Sequence, residues 1–74
     1  MTQFPTVKTK KLIKVLRKLD FQFVRQKGSH CFYRHYDGRT TVIPIHSNED
    51  IGRGLLLEIL KDIEISPEEF LRLL

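Results

Sequence analysis

The sequence has a single cysteine, Cys31, no apolar run longer than three residues, and almost no acid in its first half. Each shortage excludes something. One thiol cannot close an internal disulfide, so packing must hold the fold, and a reducing cytoplasm is the expected location. Spanning a bilayer takes about 20 apolar residues, so no membrane association is expected. The opening stretch MTQFPTVKTKK carries neither an apolar segment nor a cleavage signature, so no secretory signal is read there. Repeats, low-complexity tracts and linkers are missing too, and 74 residues suit one domain over 1–74. So small a domain buries a modest share of its surface, and a partner interface would matter to it. There is no CxxC or HxxxH pair to seed a zinc site, and no glycine pattern of a Walker or dinucleotide loop. No metal and no small-molecule cofactor are therefore expected. Ser29 adjoins His30, but no acid is placed to orient the imidazole for nucleophilic catalysis.

What is present is positive charge. The formal net charge is +4, and ten of the 13 basic residues lie between Lys8 and Arg39, against only Asp20 and Asp37. The C-terminal half is mildly acidic. A basic half suggests a polyanion partner; an ordinary solvated surface is the plainer alternative. Apolar residues make up 41% of the chain, enough for a packed core.

The apolar pattern divides the chain into six elements. Leu12, Ile13, Leu16 and Leu19, with Val15 between, mark one face of a helix over about 10–19. Thr6 or Thr9 can cap it, and Asp20 stands where a left-handed residue would end it. Lys10, Lys11, Lys14, Arg17 and Lys18 fill the opposite face, as a solvated stripe or a phosphate-binding one. Residues 21–27, 30–36 and 39–45 read as three strands. Gly28-Ser29 suits a type II′ turn and Asp37-Gly38 a type I′ turn. Pro44 assigns the third strand to a sheet edge. After His46, the residues Ile51, Leu55, Ile59 and Ile63 recur at spacing four, reinforced by Leu56 and Leu60. They predict a second helix, capped by Ser47 or Asn48, with regular structure beginning near Gly54. Ser66, Pro67 and Glu69 then open a short last helix. The order is α-β-β-β-α-α.

Two-residue turns fix register. They pair Lys27 with His30, Phe23 with Arg34, Tyr36 with Arg39, Phe32 with Ile43 and His30 with Ile45. One face then holds Phe21, Phe23, Phe32, Tyr36, Ile43 and Ile45, and should meet the helices. The other holds Gln22, Val24, Gln26, Cys31, Tyr33, His35 and Val42. Arg25 and Arg34 sit awkwardly on the first face, which a longer first turn would relieve. His30 is expected on or near the core side, with His35 on the opposite face. Across the hairpin His46 would face Ser29 as a hydrogen-bonding partner, and Cys31 is expected as a small apolar filler.

The chemistry open to these residues is metal-independent RNA cleavage. The nucleophile is the RNA 2′-hydroxyl, a histidine moves protons, and cations offset the charge that gathers on phosphorus. His30 is the candidate catalyst. Arg25 and Lys27 flank the turn made by Gly28 and Ser29, and are the candidates for phosphate binding. Phe32 or Tyr33 could stack a base, with core packing the stronger expectation for Phe32. A hydrogen-bonded turn histidine remains the simpler reading of His30.

In order along the chain come LRKLDF, VRQKGSH, TVIPIH and IGRGLLLEILKDIEISPEEFLRLL. With these motifs the sequence resembles the HicA (YcfA-like) toxins, the mRNA interferases of HicA–HicB toxin–antitoxin modules. The resemblance covers nearly all of the chain. It implies an α+β, double-stranded-RNA-binding-domain-like fold, a three-stranded antiparallel meander with helices on one face. It also implies an endoribonuclease that cuts mRNA and slows translation and growth, with its catalytic histidine at His30 in Gly28-Ser29-His30, and a HicB-like antitoxin as partner. The sequence departs from the family at Asp20, where glycine is frequent, and at Gly54-Leu55-Leu56, where Gly-Thr-Leu is usual. Alternatives are a non-catalytic RNA-binding module of the same fold, or an interaction partner that has lost nuclease activity.

Overall fold

A computed structural model describes residues 6–45 and 50–74. The short strand β1 (Val7–Lys8) leads into helix α1 (Thr9–Lys18). Three strands follow: β2 (Gln22–Lys27), β3 (His30–Arg34) and β4 (Thr40–Pro44). Strand β5 (Asp50–Ile51), helix α2 (Arg53–Ile63) and helix α3 (Pro67–Leu73) complete the order. The sheet is antiparallel in the order β2-β3-β4, so β3 is central and Pro44 lies on an edge strand, as its missing N–H requires. The helices cover one face. This is the α+β, double-stranded-RNA-binding-domain-like layout that the resemblance implies.

Helix α1 forms where its periodicity predicts. Leu12, Val15 and Leu16 are buried, with Ile13 and Leu19 packed against the same core. It ends as the position of Asp20 suggests. Asp20 adopts φ 69°, its N–H donates to the Arg17 carbonyl at 3.0 Å, and the Phe21 N–H donates to the Leu16 carbonyl at 2.9 Å. These two bonds are a Schellman motif. The start differs from expectation. Lys8 occupies the N-cap, with no side-chain cap, because pairing of Val7 with Ile51 and Lys8 with Asp50 already directs the chain into the helix.

Helix α2 corrects a second expectation. Gly52 is its N-cap; Ser47 and Asn48, expected as caps, lie with His46 and Glu49 outside the described residues. Ile51 belongs to β5 and Leu55 is 42% exposed. The buried stripe is Leu56, Ile59, Leu60 and Ile63, which is i, i+3, i+4, i+7 rather than a strict spacing of four. Glu64 ends the helix in the left-handed region at φ 59°. Helix α3 opens as predicted, with the Glu69 N–H donating to Ser66 Oγ at 3.1 Å and Pro67 at the first position.

The sheet register corrects the largest expectation. The β3–β4 connection contains three residues, Tyr36, Asp37 and Gly38. His35 closes it, donating its N–H to the Arg39 carbonyl at 2.9 Å and accepting from the Gly38 N–H at 3.0 Å. Gly38 takes φ 102°, which suits a glycine. The extra residue pairs Phe32 with Val42, Cys31 with Ile43 and His30 with Pro44, one step from the pairing a two-residue turn would give. A one-residue slip turns a strand over. Cys31, Tyr33 and His35 therefore point into the core, and His30, Phe32 and Arg34 point outward. In β2 a bulge between Phe23 and Arg25 makes a compensating change. Phe21 is buried against the helices, and Phe23 pairs with Tyr33, while Arg25 pairs with Phe32 and Lys27 with His30. The awkward placement of Arg25 and Arg34 is thereby removed, through the second connection and a bulge rather than through the first turn.

Candidate nucleic-acid interface

The outward face of the sheet carries the candidate site. Along β3 it presents His30, Phe32 and Arg34, and across from these on β2 stand Lys27, Arg25 and Gln22. On β4 the matching positions are Pro44, Val42 and Thr40. No carboxylate occupies these nine positions. The face therefore concentrates cations without internal neutralisation, which is the electrostatic pattern that attracts a polyanion.

The turn that positions His30 is held on two sides. Gly28 takes φ 59° in a turn of the predicted residues, and the place a Cβ would take is open, so backbone conformation rather than crowding favours glycine. Gln26 Nε2 donates to the Gly28 carbonyl at 2.9 Å. The Ile45 N–H donates to the Ser29 carbonyl at 2.6 Å, tying the turn to the end of β4. His30 begins β3 on the exposed face, not on the core side as the shorter loop implied. Lys27 stands directly across from it.

Next to this pair, the Arg25 guanidinium lies 4.8 Å from the centroid of the Phe32 ring. The ring is half-buried and faces solvent, so the expectation that Phe32 packs in the core is overturned. A cation over an aromatic ring forms a flat platform suited to a nucleobase. Tyr33 is 6% exposed and cannot serve as such a platform. Burial, with Cys31 beside it, pushes its phenol above the ordinary value near 10. Cys31 is buried and free, as expected of a small core residue.

His35 is a core residue with structural contacts. Its ring lies 5.1 Å from Phe21 and 4.4 Å from Tyr36, centroid to centroid, and Nδ1 accepts the Asp37 N–H at 3.2 Å. The opposition of His30 and His35 holds, with the two faces exchanged. His46, expected to face Ser29, lies outside the described residues. Among the described residues no three His, Cys, Asp or Glu side chains gather as a metal site would need, and no helix is long and apolar enough to cross a membrane.

Arg34, Gln22 and Val42 were not singled out as site residues from sequence. Strand alternation counted back from Gly38 as a three-residue loop would have found them.

The sequence was compared with known proteins. A family model described as the HicA toxin of bacterial toxin–antitoxin matches residues 9–65. No curated protein matches. The matched segment runs from the start of α1 past the end of α2, and so includes the whole three-stranded sheet and its outward face.

Proposed function

The chain belongs to the HicA toxin family of bacterial toxin–antitoxin modules, and on that premise we propose that it is a metal-independent endoribonuclease that cleaves mRNA with His30. The observation that carries this reading is the acid-free outward face, where an exposed histidine stands beside Lys27 and the Arg25–Phe32 platform.

The geometry suits a single strand lying on the sheet. A base rests on Phe32, stacked in place of solvent. The adjoining phosphate meets Lys27, with Arg25 nearby, where charge developing on the non-bridging oxygens is offset. His30 takes the proton of the ribose 2′-hydroxyl as that oxygen attacks phosphorus. The bond from phosphorus to the 2′-oxygen forms, the bond to the 5′-oxygen breaks, and the departing 5′-oxygen takes a proton from water, while His30 returns its own to solvent. The products are a 2′,3′-cyclic phosphate and a 5′-hydroxyl. Gly28 and Ser29 set the turn that brings their backbone close to the strand.

Membership in the family also supplies an antitoxin as partner. In this proposal the antitoxin is HicB-like and covers the cationic face, and the action on mRNA halts translation and growth. A non-catalytic RNA-binding module would use the same platform, since Arg25 over Phe32 serves binding whether or not a bond is cut.

The deciding experiment compares the chain with His30→Gln. The variant is expected to lose at least about a hundredfold in RNA cleavage and to stop arresting growth, while circular dichroism stays unchanged because His30 is exposed. Equal cleavage by the variant would remove His30 from catalysis. RNA binding without cleavage by either form would establish the binding module instead. Loss of activity in a chelator would end the metal-independent scheme.

A further inference from the structure

At the end of the sheet away from the Gly28-Ser29 turn lies an open groove of ≈ 600 Å³, whose lining includes Asp20, Gln22, Phe23, Arg34 and Tyr36. Tyr36 is 89% exposed and Phe23 56% exposed, both unusually open for aromatic residues. The Tyr36 ring rests at an angle of 32° on His35, 4.4 Å between centroids, while Phe23 is held edge-on against Tyr33 at 5.9 Å. Both rings are thus braced from the protein side. Arg34 makes no ion pair among the described residues, and Gln22 stands across from it.

We propose that this groove is a second nucleobase subsite, which takes an unpaired base of a single-stranded RNA a short way along the strand from the scissile phosphate. Arg34 lies four residues from His30 on β3, about 13 Å along the strand. Arg34 continues the outward row of His30 and Phe32 with Gln22 across from it, so a strand laid on that row reaches the groove at the end of the sheet, where Phe23, on the face of Tyr33, lines it from the other side. The groove adds what a bare basic patch lacks. Braced aromatic rings accept the face of a base, the Arg34 guanidinium offers donors to a phosphate or to carbonyl oxygens of the base, and the Gln22 amide can donate or accept. The Asp20 carboxylate repels phosphate and accepts from N–H, and so favours a base bearing an exocyclic amine. The subsite would therefore contribute sequence preference, whereas Lys27 and Arg25 contribute affinity that does not depend on sequence.

The inference rests on RNA as the substrate, and its test separates the two. Anisotropy of a labelled single-stranded oligoribonucleotide would be measured on the full chain carrying His30→Gln, so that the RNA stays intact. Tyr36→Ala and Arg34→Ala, added singly, are each expected to weaken binding roughly tenfold. An abasic residue at one position of the RNA should cost the Tyr36-containing protein the same factor, and should cost Tyr36→Ala nothing further. Unchanged affinity in both variants, or losses that no single abasic position reproduces, would overturn the subsite. Cleavage by the chain with His30 intact, together with indifferent groove variants, leaves the ribonuclease and removes the groove. Position-dependent binding without cleavage does the reverse, and absence of RNA binding removes both.

Discussion

Lys27 and Arg25 occupy alternate outward positions on an edge strand, and their work is separable from that of His30. Each is exposed, and neither forms an ion pair among the described residues. A phosphate contact releases counterions, so removing one should lower affinity and reduce the salt dependence. Lys27→Ala is expected to reduce the slope of log affinity against log salt by about 0.7 for a single strand. Arg25→Ala should do the same and also lose the platform over Phe32. Titrations of one oligoribonucleotide at several salt concentrations check this; an unchanged slope in both variants would show that the strand passes elsewhere. These residues were nameable from the sequence because they flank a glycine turn. The outward orientation of Phe32 was not, since a two-residue turn pairs it with Ile43 on the apolar face, whereas the actual loop pairs it with Val42.

Among the elements, the three-residue loop and the β2 bulge do the most to shape the face. Tyr36, Asp37 and Gly38 set β3 one residue out of the register that Asp37-Gly38 alone would give. Deleting Tyr36 would leave Asp37-Gly38 as a two-residue turn closed by the same His35–Arg39 pair, so Cys31 and Tyr33 should stay inside and Phe32 outside. The deletion is expected to cost less than about 3 kcal/mol, and Tyr36→Ala to stay within about 0.5 kcal/mol because the ring is exposed. Urea denaturation of the two proteins checks this. A larger loss on deletion would mean that the three-residue loop length itself holds the register. The helices were easier to read. The apolar stripe of α1 and the Ser66-Pro67-Glu69 start of α3 are local signals, and the structure follows them. The regular start of α2 near Gly54 was legible too, but Ile51 was read as part of the helix, because β5 takes Asp50 and Ile51 for a pairing with residues more than 40 positions away. The departures from the family pattern are mild at this scale. Asp20 sustains the left-handed helix end that glycine would favour, and Leu55 is exposed on α2 rather than required by the core.

For the whole molecule, two groups contribute to the dependence of stability on pH. The Arg39 N–H donates to Asp37 Oδ1 at 3.0 Å, and the Arg39 side chain meets Oδ2 at 2.8 Å. The backbone bond first, and then the guanidinium, hold the Asp37 carboxyl below its ordinary range. Arg39 also donates to the Ile63 carbonyl and covers the Phe21 ring at 5.1 Å, so this loop is fastened to the end of α2. A depressed carboxyl favours the folded state above its unfolded pKa, and that contribution is lost as pH falls through the folded value. For Tyr33 the sign is opposite. Its phenol is raised, so its contribution is complete below about pH 10 and is lost as pH rises beyond that. Thermal melts across pH are expected to fall at both ends. With Asp37→Asn the acid-side fall should shrink, and with Tyr33→Phe the alkaline one should. Unaltered profiles in both variants would refute these assignments.

The sequence alone determined the order of the three helices and the three-stranded sheet, the buried face of α1, the edge position of Pro44, the Gly28-Ser29 turn and the family resemblance that the match over residues 9–65 bears out. All of these depend on signals within a few residues or on motif order. Only the tertiary structure decided which way the sheet faces. A strand alternates with a period of two, so one loop residue and one bulge, each a local difference with little signature in composition, exchange inside for outside along β3 and part of β2. That exchange carried His30 from the core side to the open face, sent His35 and Tyr33 into the core, and assembled Lys27, Arg25, Phe32 and Arg34 into one surface.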